Sequence, residues 1–342
     1  MTLLIVGSSF ILVFVIADIT WHLWHRRGSV QKHGEEDPQV RRRRTALRSV
    51  NYHFTRKCNY ECGFCFHTAK TSDVLPIDKI RKGLKILADA GMKKLNLSGG
   101  EPFLYPTLIG QILQYCKEEL HLESVSIVSN GSMIKEKFFQ RYGQYLDLLA
   151  ISVDSFDEET NTFIGRGKGN HLPQMRRVAD WCRKYNVHLR LNTVVNIYNW
   201  EEDMNQEIAS LAPKRWKCFQ VLLVDTENAG PEAIKNAERY LITDEQFNAF
   251  CDRHKEQKCL VRESNRVMKS SYVILDEYMR FLNKGDQYEE SLSILDVPLD
   301  QAMAGIDFDE SAFAERLGVY DWSKPTGAVV CCGNGDGKQL DW

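Results

Sequence analysis

The chain has 342 residues, 43% of them hydrophobic and 26% charged, with 44 Lys and Arg against 46 Asp and Glu for a formal net charge of −2. That length and apolar content support a large core and exclude global disorder. The balanced charge argues against a generic polyanion binder, and ten cysteines are too sparse for a small disulfide scaffold.

The balance conceals an asymmetry at the start of the chain. Residues 1–50 carry eight basic and four acidic side chains, a net of +4, which leaves −6 for residues 51–342. The opening run MTLLIVGSSFILVFVIA holds no ionisable side chain, and Trp21, Trp24, Arg26 and Arg27 follow it. A spanning helix needs about 20 apolar residues, so this run is borderline for crossing a bilayer. Tryptophans beside basic residues fit an interfacial belt, and the Arg41–Arg44 run would keep the downstream chain cytoplasmic. A cleaved signal fits poorly, because no positive segment precedes the apolar run; a helix lying in the interface is a third reading. We expect a membrane-associating helix over 1–25 and a basic linker over 26–48.

From position 50 two periodicities alternate. Strands are expected at 50–55, 94–98, 124–129, 148–153, 187–195 and 216–224, with helices near 78–90, 107–119, 134–145, 171–185 and 201–211. This alternation implies a parallel sheet with right-handed crossovers, open or closed into a partial barrel, whose ligands gather at the carboxyl ends of the strands. Residues 49–224 form that body. Residues 225–342 break the rhythm and read as a mainly helical extension.

Directly after the first strand comes KCNYECGFCFH, which places Cys58, Cys62 and Cys65 in C-x3-C-x2-C spacing. Three thiolates on one loop suit a soft metal. One reading is a zinc site completed by His67 or His53; the other is a 4Fe-4S cluster with one iron open. The second strand ends in Ser98-Gly99-Gly100-Glu101-Pro102. Its two glycines would let the backbone approach a ligand, and Glu101 offers an acceptor for an ammonium group. Alternation places Arg190 and Asn192 on one face of the fifth strand, and Arg215 and Lys217 on one face of the sixth. Inward cations need an anion to pair with.

These segments resemble the radical S-adenosylmethionine (SAM) enzymes, whose signature is C-x3-C-x2-C. NYHFTRKCNYECGFCFHTAKTS, LNLSGGEPFL, VSIVSNGS, ISVDSFDEE, ESNRVMKSSYVILDEYMRFLN and the terminal LDW are similar, over about residues 48–342, to the viperin family within that superfamily. The resemblance implies a partial (βα)6 TIM-like barrel with a mainly helical C-terminal extension covering the active site. It implies a 4Fe-4S cluster on Cys58, Cys62 and Cys65, and SAM held near Ser98, Gly99, Gly100, Glu101, Ser152 and Arg166. The implied reaction cleaves SAM to a 5′-deoxyadenosyl radical, takes the 4′ hydrogen of CTP and releases water to give 3′-deoxy-3′,4′-didehydro-CTP, a chain-terminating antiviral nucleotide.

For the substrate the family implies Asn51, Arg190, Asn192, Arg215 and Lys217, with Tyr272 as hydrogen or proton donor to the substrate radical. UTP is an alternative substrate, as is a non-nucleotide one; a membrane-tethered scaffold with a structural cluster is the reading of another class. The family also implies the cytoplasmic face of the endoplasmic reticulum and lipid droplets, an external electron donor, and docking of the cytosolic iron–sulfur assembly machinery on Leu340-Asp341-Trp342. No direct nucleic-acid contact is expected. One departure stands out: where the family carries a basic loop, this chain reads NKGDQYEES, leaving Lys284 as the local cation.

Overall fold

A computed structural model describes residues 46–71, 73–224, 227–282, 291–304, 306, 308–318 and 324. The expected 1–25 helix, nearly all of the linker, the loop around Lys284, and the Trp342 end lie outside the described residues. No helix among the described residues is long and apolar enough to cross a membrane.

The body alternates strand and helix: β1 (Ser49–His53), α1 (Ile77–Asp89), β2 (Lys94–Ser98), α2 (Pro106–Glu118), β3 (Ser124–Ser129), α3 (Glu136–Tyr142), β4 (Leu148–Ser152), α4 (Glu158–Phe163), α5 (His171–Lys184), β5 (His188–Val195), α6 (Asn205–Leu211) and β6 (Arg215–Gln220). Then come α7 (Asp244–Arg253), β7 (Leu260–Glu263), α8 (Asn265–Ser271), β8 (Val273–Leu275), α9 (Leu299–Ala302) and α10 (Glu310–Glu315). Among the described residues eight strands are parallel neighbours in the order β7-β6-β5-β4-β3-β2-β1-β8. The result is an open, partial barrel.

Local chemistry explains the elements. In α1 the buried positions Ile80, Gly83, Leu84 and Leu87 recur at helical spacing. Gly91, at φ 106°, ends that helix, and the Met92 amide returns to the Leu87 carbonyl at 2.9 Å. Thr243 and Gln246 form a reciprocal capping box that starts α7. Strand alternation sorts the two faces of the sheet: Leu189 and Leu191 of β5 join the core under the helices, while Arg190, Asn192 and Val194 line an interior cavity.

The extension departs from expectation. It adds two parallel strands, β7 beside β6 and β8 beside β1, so the sheet grows at both edges. Within this stretch, expected to be mainly helical, α8 stops at Ser271, β8 follows, and a turn bridges Leu275 to Phe281. Strands of three or four residues are shorter than any window in which periodicity can be read. Val273, Ile274 and Leu275 are all buried, so no polar–apolar alternation marks them.

Candidate active site

One cavity of about 630 Å³ runs through the barrel, from the loops after β1 and β2 down to Ser49, Lys94 and Ser124 at the amino ends of β1, β2 and β3. Every expected site residue lines it except Glu101 and Arg215.

At the end nearest the loops after β1 and β2 sit Cys58, Cys62 and Cys65, all free thiols. Their loop is held by backbone contacts to the segment after α4: the Glu61 amide donates to Gly165 O, and that of Gly63 to Ile164 O, both at 3.2 Å. Gly165 is required there, because at φ 81° any Cβ would lie 2.4 Å from the Glu61 carbonyl. Burial pushes the Cys62 thiol up to about 12, with Arg166 pulling it back, and also raises Cys58 and Cys65. The loop therefore presents neutral thiols that release protons when a soft metal binds.

Among the described residues, no three Cys, His, Asp or Glu side chains close on a single point as one metal ion requires. His67 is buried, and burial holds it well below its ordinary value. His53 packs edge-on against it, ring centres 4.5 Å apart.

The Gly-Gly turn works differently from the expected ligand cradle. The Gly100 amide donates to Thr55 O at 2.7 Å and the Glu101 amide to Lys57 O at 2.8 Å, so the turn is zipped onto the segment between β1 and the cysteine loop. A Cβ at Gly99 would meet Thr55 O at 2.3 Å, and one at Gly100 would meet Lys57 O at 2.1 Å. Glu101 is fully buried and off the cavity wall. Its carboxylate accepts from the Phe103 amide, the Ser129 hydroxyl and the Asn130 amide, each at 2.8 Å. Burial raises it to about 7 despite those three donors. It ties the turn to the end of β3, and Gly99 and Gly100 themselves face the cavity.

Arg166 reaches the same end of the cavity and donates from Nε to Asp154 at 2.6 Å, with Phe64 beneath its guanidinium. Ser152 presents its carbonyl to His171 Nε2 at 3.0 Å. Arg56 also lines this end. It is buried between two carboxylates, Glu277 at 2.9 Å and Glu227 at 3.0 Å.

The deeper half is polar and cationic. Asn51 donates to Val273 O at 3.1 Å and accepts from Asn96 at 2.8 Å, and Asn96 in turn accepts from Ser126 at 2.7 Å. Lys94, Arg190, Lys217 and Arg316 all line this half. Over the whole wall, seven Lys and Arg (these four with Arg56, Arg166 and Lys235) face two carboxylates, Glu61 and Asp154. Three of the seven pair with carboxylates, Arg56 with Glu227 and Glu277, Arg166 with Asp154 and Lys217 with Glu263, and positive charge still exceeds negative along the wall, which suits an anion.

Arg215 is the second exception. It pairs in register with Arg190, yet its guanidinium turns to the carbonyls of Arg316 and Leu317, each at 3.1 Å. It grips the end of α10, whose Arg316 then donates to Ser271 Oγ at 2.9 Å and Ser271 O at 2.8 Å. Lys217 is already paired: it donates to Glu263 at 2.5 Å and to the Tyr272 hydroxyl at 2.8 Å. Burial pushes Lys217 well below its ordinary value against the pull of Glu263. Burial alone would raise Glu263, but Lys217 and Arg316 hold it below the usual carboxylate range.

Lys94, Arg316 and Glu263 were not among the residues expected from sequence. Lys94 shares strand parity with Ser98 and could have been read from it. Arg316 and Glu263 carry no such signal.

Residues 52–212 match the model of the Radical SAM superfamily. The chain is 56% identical over 281 residues to the S-adenosylmethionine-dependent nucleotide dehydratase RSAD2 of Oncorhynchus mykiss, covering 81% of each. It is 54% identical over 303 residues to the protein of that name from Danio rerio, covering 87% of this chain and 83% of that one. Among solved structures, SuiB of Streptococcus suis bound to S-adenosylmethionine superposes with a TM-score of 0.60 at 15% identity, over 91% of this chain and 80% of that one. That likeness concerns the fold alone.

Proposed function

Because the chain belongs to the RSAD2, or viperin, family of S-adenosylmethionine-dependent nucleotide dehydratases within the radical SAM superfamily, we propose that its nucleotide substrate is CTP and its product 3′-deoxy-3′,4′-didehydro-CTP. The carrying observation is the two-ended cavity: thiols and a glycine turn at one end, inward cations at the other.

In this reading Cys58, Cys62 and Cys65 hold a 4Fe-4S cluster, which when bound supplies the electron for SAM cleavage to a 5′-deoxyadenosyl radical. Ser98, Gly99, Gly100, Ser152 and Arg166 surround the space left for SAM. The nucleotide occupies the deeper half, with its triphosphate against Lys94, Arg190, Lys217 and Arg316. Arginine forks and lysine point charges are the side chains that bind phosphate oxygens. Asn51 and Asn192 are placed to read the sugar, and loss of the 4′ hydrogen there prepares loss of the 3′ hydroxyl. Arg215 supports this pocket through Arg316, and Glu101 supports the SAM end through Ser129 and Asn130.

The same reading tethers the enzyme through residues 1–25 to the cytoplasmic face of the endoplasmic reticulum and to lipid droplets. It assigns cluster delivery to the cytosolic iron–sulfur assembly machinery docking at Trp342, and reduction to an external electron donor.

The test is anaerobic reconstitution and reduction, then turnover with SAM and each of CTP, UTP, GTP and ATP. CTP should raise 5′-deoxyadenosine most and yield a product 18 mass units lighter, the mass of one water. Uniform background with every nucleotide would sink the reading and favour a tethered scaffold.

A further inference from the structure

Three side chains on the cavity wall form one row across three strands. Asn51 of β1 pairs in register with Asn96 of β2, and Asn96 with Ser126 of β3. All three line the cavity. Asn51 Nδ2 donates to Val273 O at 3.1 Å, Asn96 Nδ2 donates to Asn51 Oδ1 at 2.8 Å, and the Ser126 hydroxyl donates to Asn96 Oδ1 at 2.7 Å.

The direction of this row is set at one end. A backbone carbonyl only accepts, so Val273 O fixes the nitrogen side of Asn51 towards β8 and its oxygen towards β2. Asn96 must meet that oxygen with its nitrogen, which turns its own oxygen to the Ser126 hydroxyl. The Asn51 amide is thus gripped from both sides. Each primary amide carries two N–H groups and spends one along the row, so each keeps a second for a bound molecule.

Position along the strand says which part of a nucleotide meets the row. On β2 the residues facing the cavity run Lys94, Asn96, Ser98, roughly 7 Å apart at the rise of a strand. Lys94 belongs to the cationic end and Ser98 to the SAM end, so Asn96 stands between them, at the level of the sugar. Asn192, assigned to the same sugar, buries its Oδ1 with no hydrogen-bond partner among the described residues. The wall therefore offers two N–H donors and an acceptor. An ionised phosphate oxygen only accepts, whereas a hydroxyl both accepts and donates.

We propose that Asn96 is a specificity-determining residue for the nucleotide sugar: it holds the Asn51 amide with an N–H towards the ribose and adds an N–H of its own, so that the row recognises the neighbouring 2′ and 3′ oxygens and rejects a 2′-deoxyribose. The inference rests on the nucleotide-dehydratase reading above and deepens it. A site built to hydrogen-bond a hydroxyl discriminates against the analogue that lacks it, because its own polar groups are then left unpaired. Asn96 acts by contact and through Asn51, while Ser126 is a positioning residue acting through Asn96.

The test is calorimetry on the reconstituted holoenzyme with SAM, titrated with CTP and with 2′-deoxy-CTP. The parent should prefer CTP by at least about tenfold. Asn96→Leu keeps the shape and removes every hydrogen bond, and should bring the two affinities within about threefold of each other. Ser126→Ala should reduce the preference by about threefold, and should change it no further in the Asn96→Leu background. A purely structural role would weaken both nucleotides alike and leave the preference unchanged. Parental preference in folded Asn96→Leu overturns the inference; should that variant not fold, parental preference in Ser126→Ala does so. A parent that binds both nucleotides equally, while still making nucleotide-dependent 5′-deoxyadenosine, overturns the inference alone. A parent that binds neither and makes none overturns the function reading, and the inference falls with it.

Discussion

The guanidinium of Arg316 lies 3.8 Å from the centre of the Tyr272 ring, held there by two hydrogen bonds to Ser271. The residue closing the anion end of the cavity thus also packs on the phenol beside the expected site of chemistry. Arg316→Ala should weaken triphosphate binding by about 2 kcal/mol, roughly thirtyfold in Kd, by calorimetry. Arg316→Lys should recover little, because a lysine restores the charge without the planar fork or the stack. Unchanged affinity in both variants would make Arg316 architecture only.

Arg215 offers a separable test, because it holds main-chain carbonyls of Arg316 and Leu317 rather than facing the cavity. Arg215→Ala should lower Tm and weaken nucleotide binding through Arg316. Its effect and that of Arg316→Ala should therefore be non-additive in a double-mutant cycle, by about 1 kcal/mol or more. Strict additivity would put Arg215 in direct contact with substrate.

The glycine turn makes a stability prediction. A methyl group at position 100 would overlap the Lys57 carbonyl at 2.1 Å. Gly100→Ala must push the turn off the segment that leads into the cysteine loop, at about 1–3 kcal/mol for such overpacking. Urea denaturation should register the loss, and SAM affinity should drop with it. A variant as stable as the parent would mean the two segments separate freely.

His171 makes stability depend on pH. Burial, with Arg166 nearby, lowers it from 6.5 to about 4. Unfolded chains therefore bind the extra proton across that interval, and stability present above pH 6.5 is lost as the pH falls towards 4, by about 3 kcal/mol in total. Comparing urea midpoints at pH 7.5 and 5.0, His171→Gln should show a shallower decline than the parent. Equal declines would place the acid sensitivity elsewhere.

Cys62 is the most buried cysteine of the C-x3-C-x2-C loop, at 7% exposure. Cys62→Ala should abolish retained iron and 5′-deoxyadenosine formation together, measured by iron analysis and product chromatography. A fully iron-loaded, active variant would remove the cluster from this loop.

Much of this was legible in the chain. The strands expected at 94–98 and 124–129 coincide with β2 and β3, because alternation there is long and clean. Spacing and position drew attention to the cysteine loop and the glycine turn, and the family resemblance supplied the roles expected of them. What escaped depended on tertiary placement. Strand parity put Arg215 on the cavity face, but it sits at the very start of β6, where the side chain reaches α10 instead. Glu101 looked like a ligand and proved to be a buried brace, since nothing local announces that Ser129 and Asn130 converge on it. Glu263 and Arg316 lie 46 and 99 positions beyond Lys217, and only the pairing of β7 with β6 and the placement of the end of α10 bring them near it.

Arg56, next door to the cysteine loop, is clamped between Glu227 and Glu277, and β1 takes β8 as its neighbour only after residue 273 has been made. A nascent chain halted before Glu277 carries all three cysteines beside an arginine still missing half of its counter-charge and a sheet edge with nothing on it. The opening motif thus leans on residues written more than 150 positions after it: its neighbouring arginine on Glu227 and Glu277, and its strand on β8.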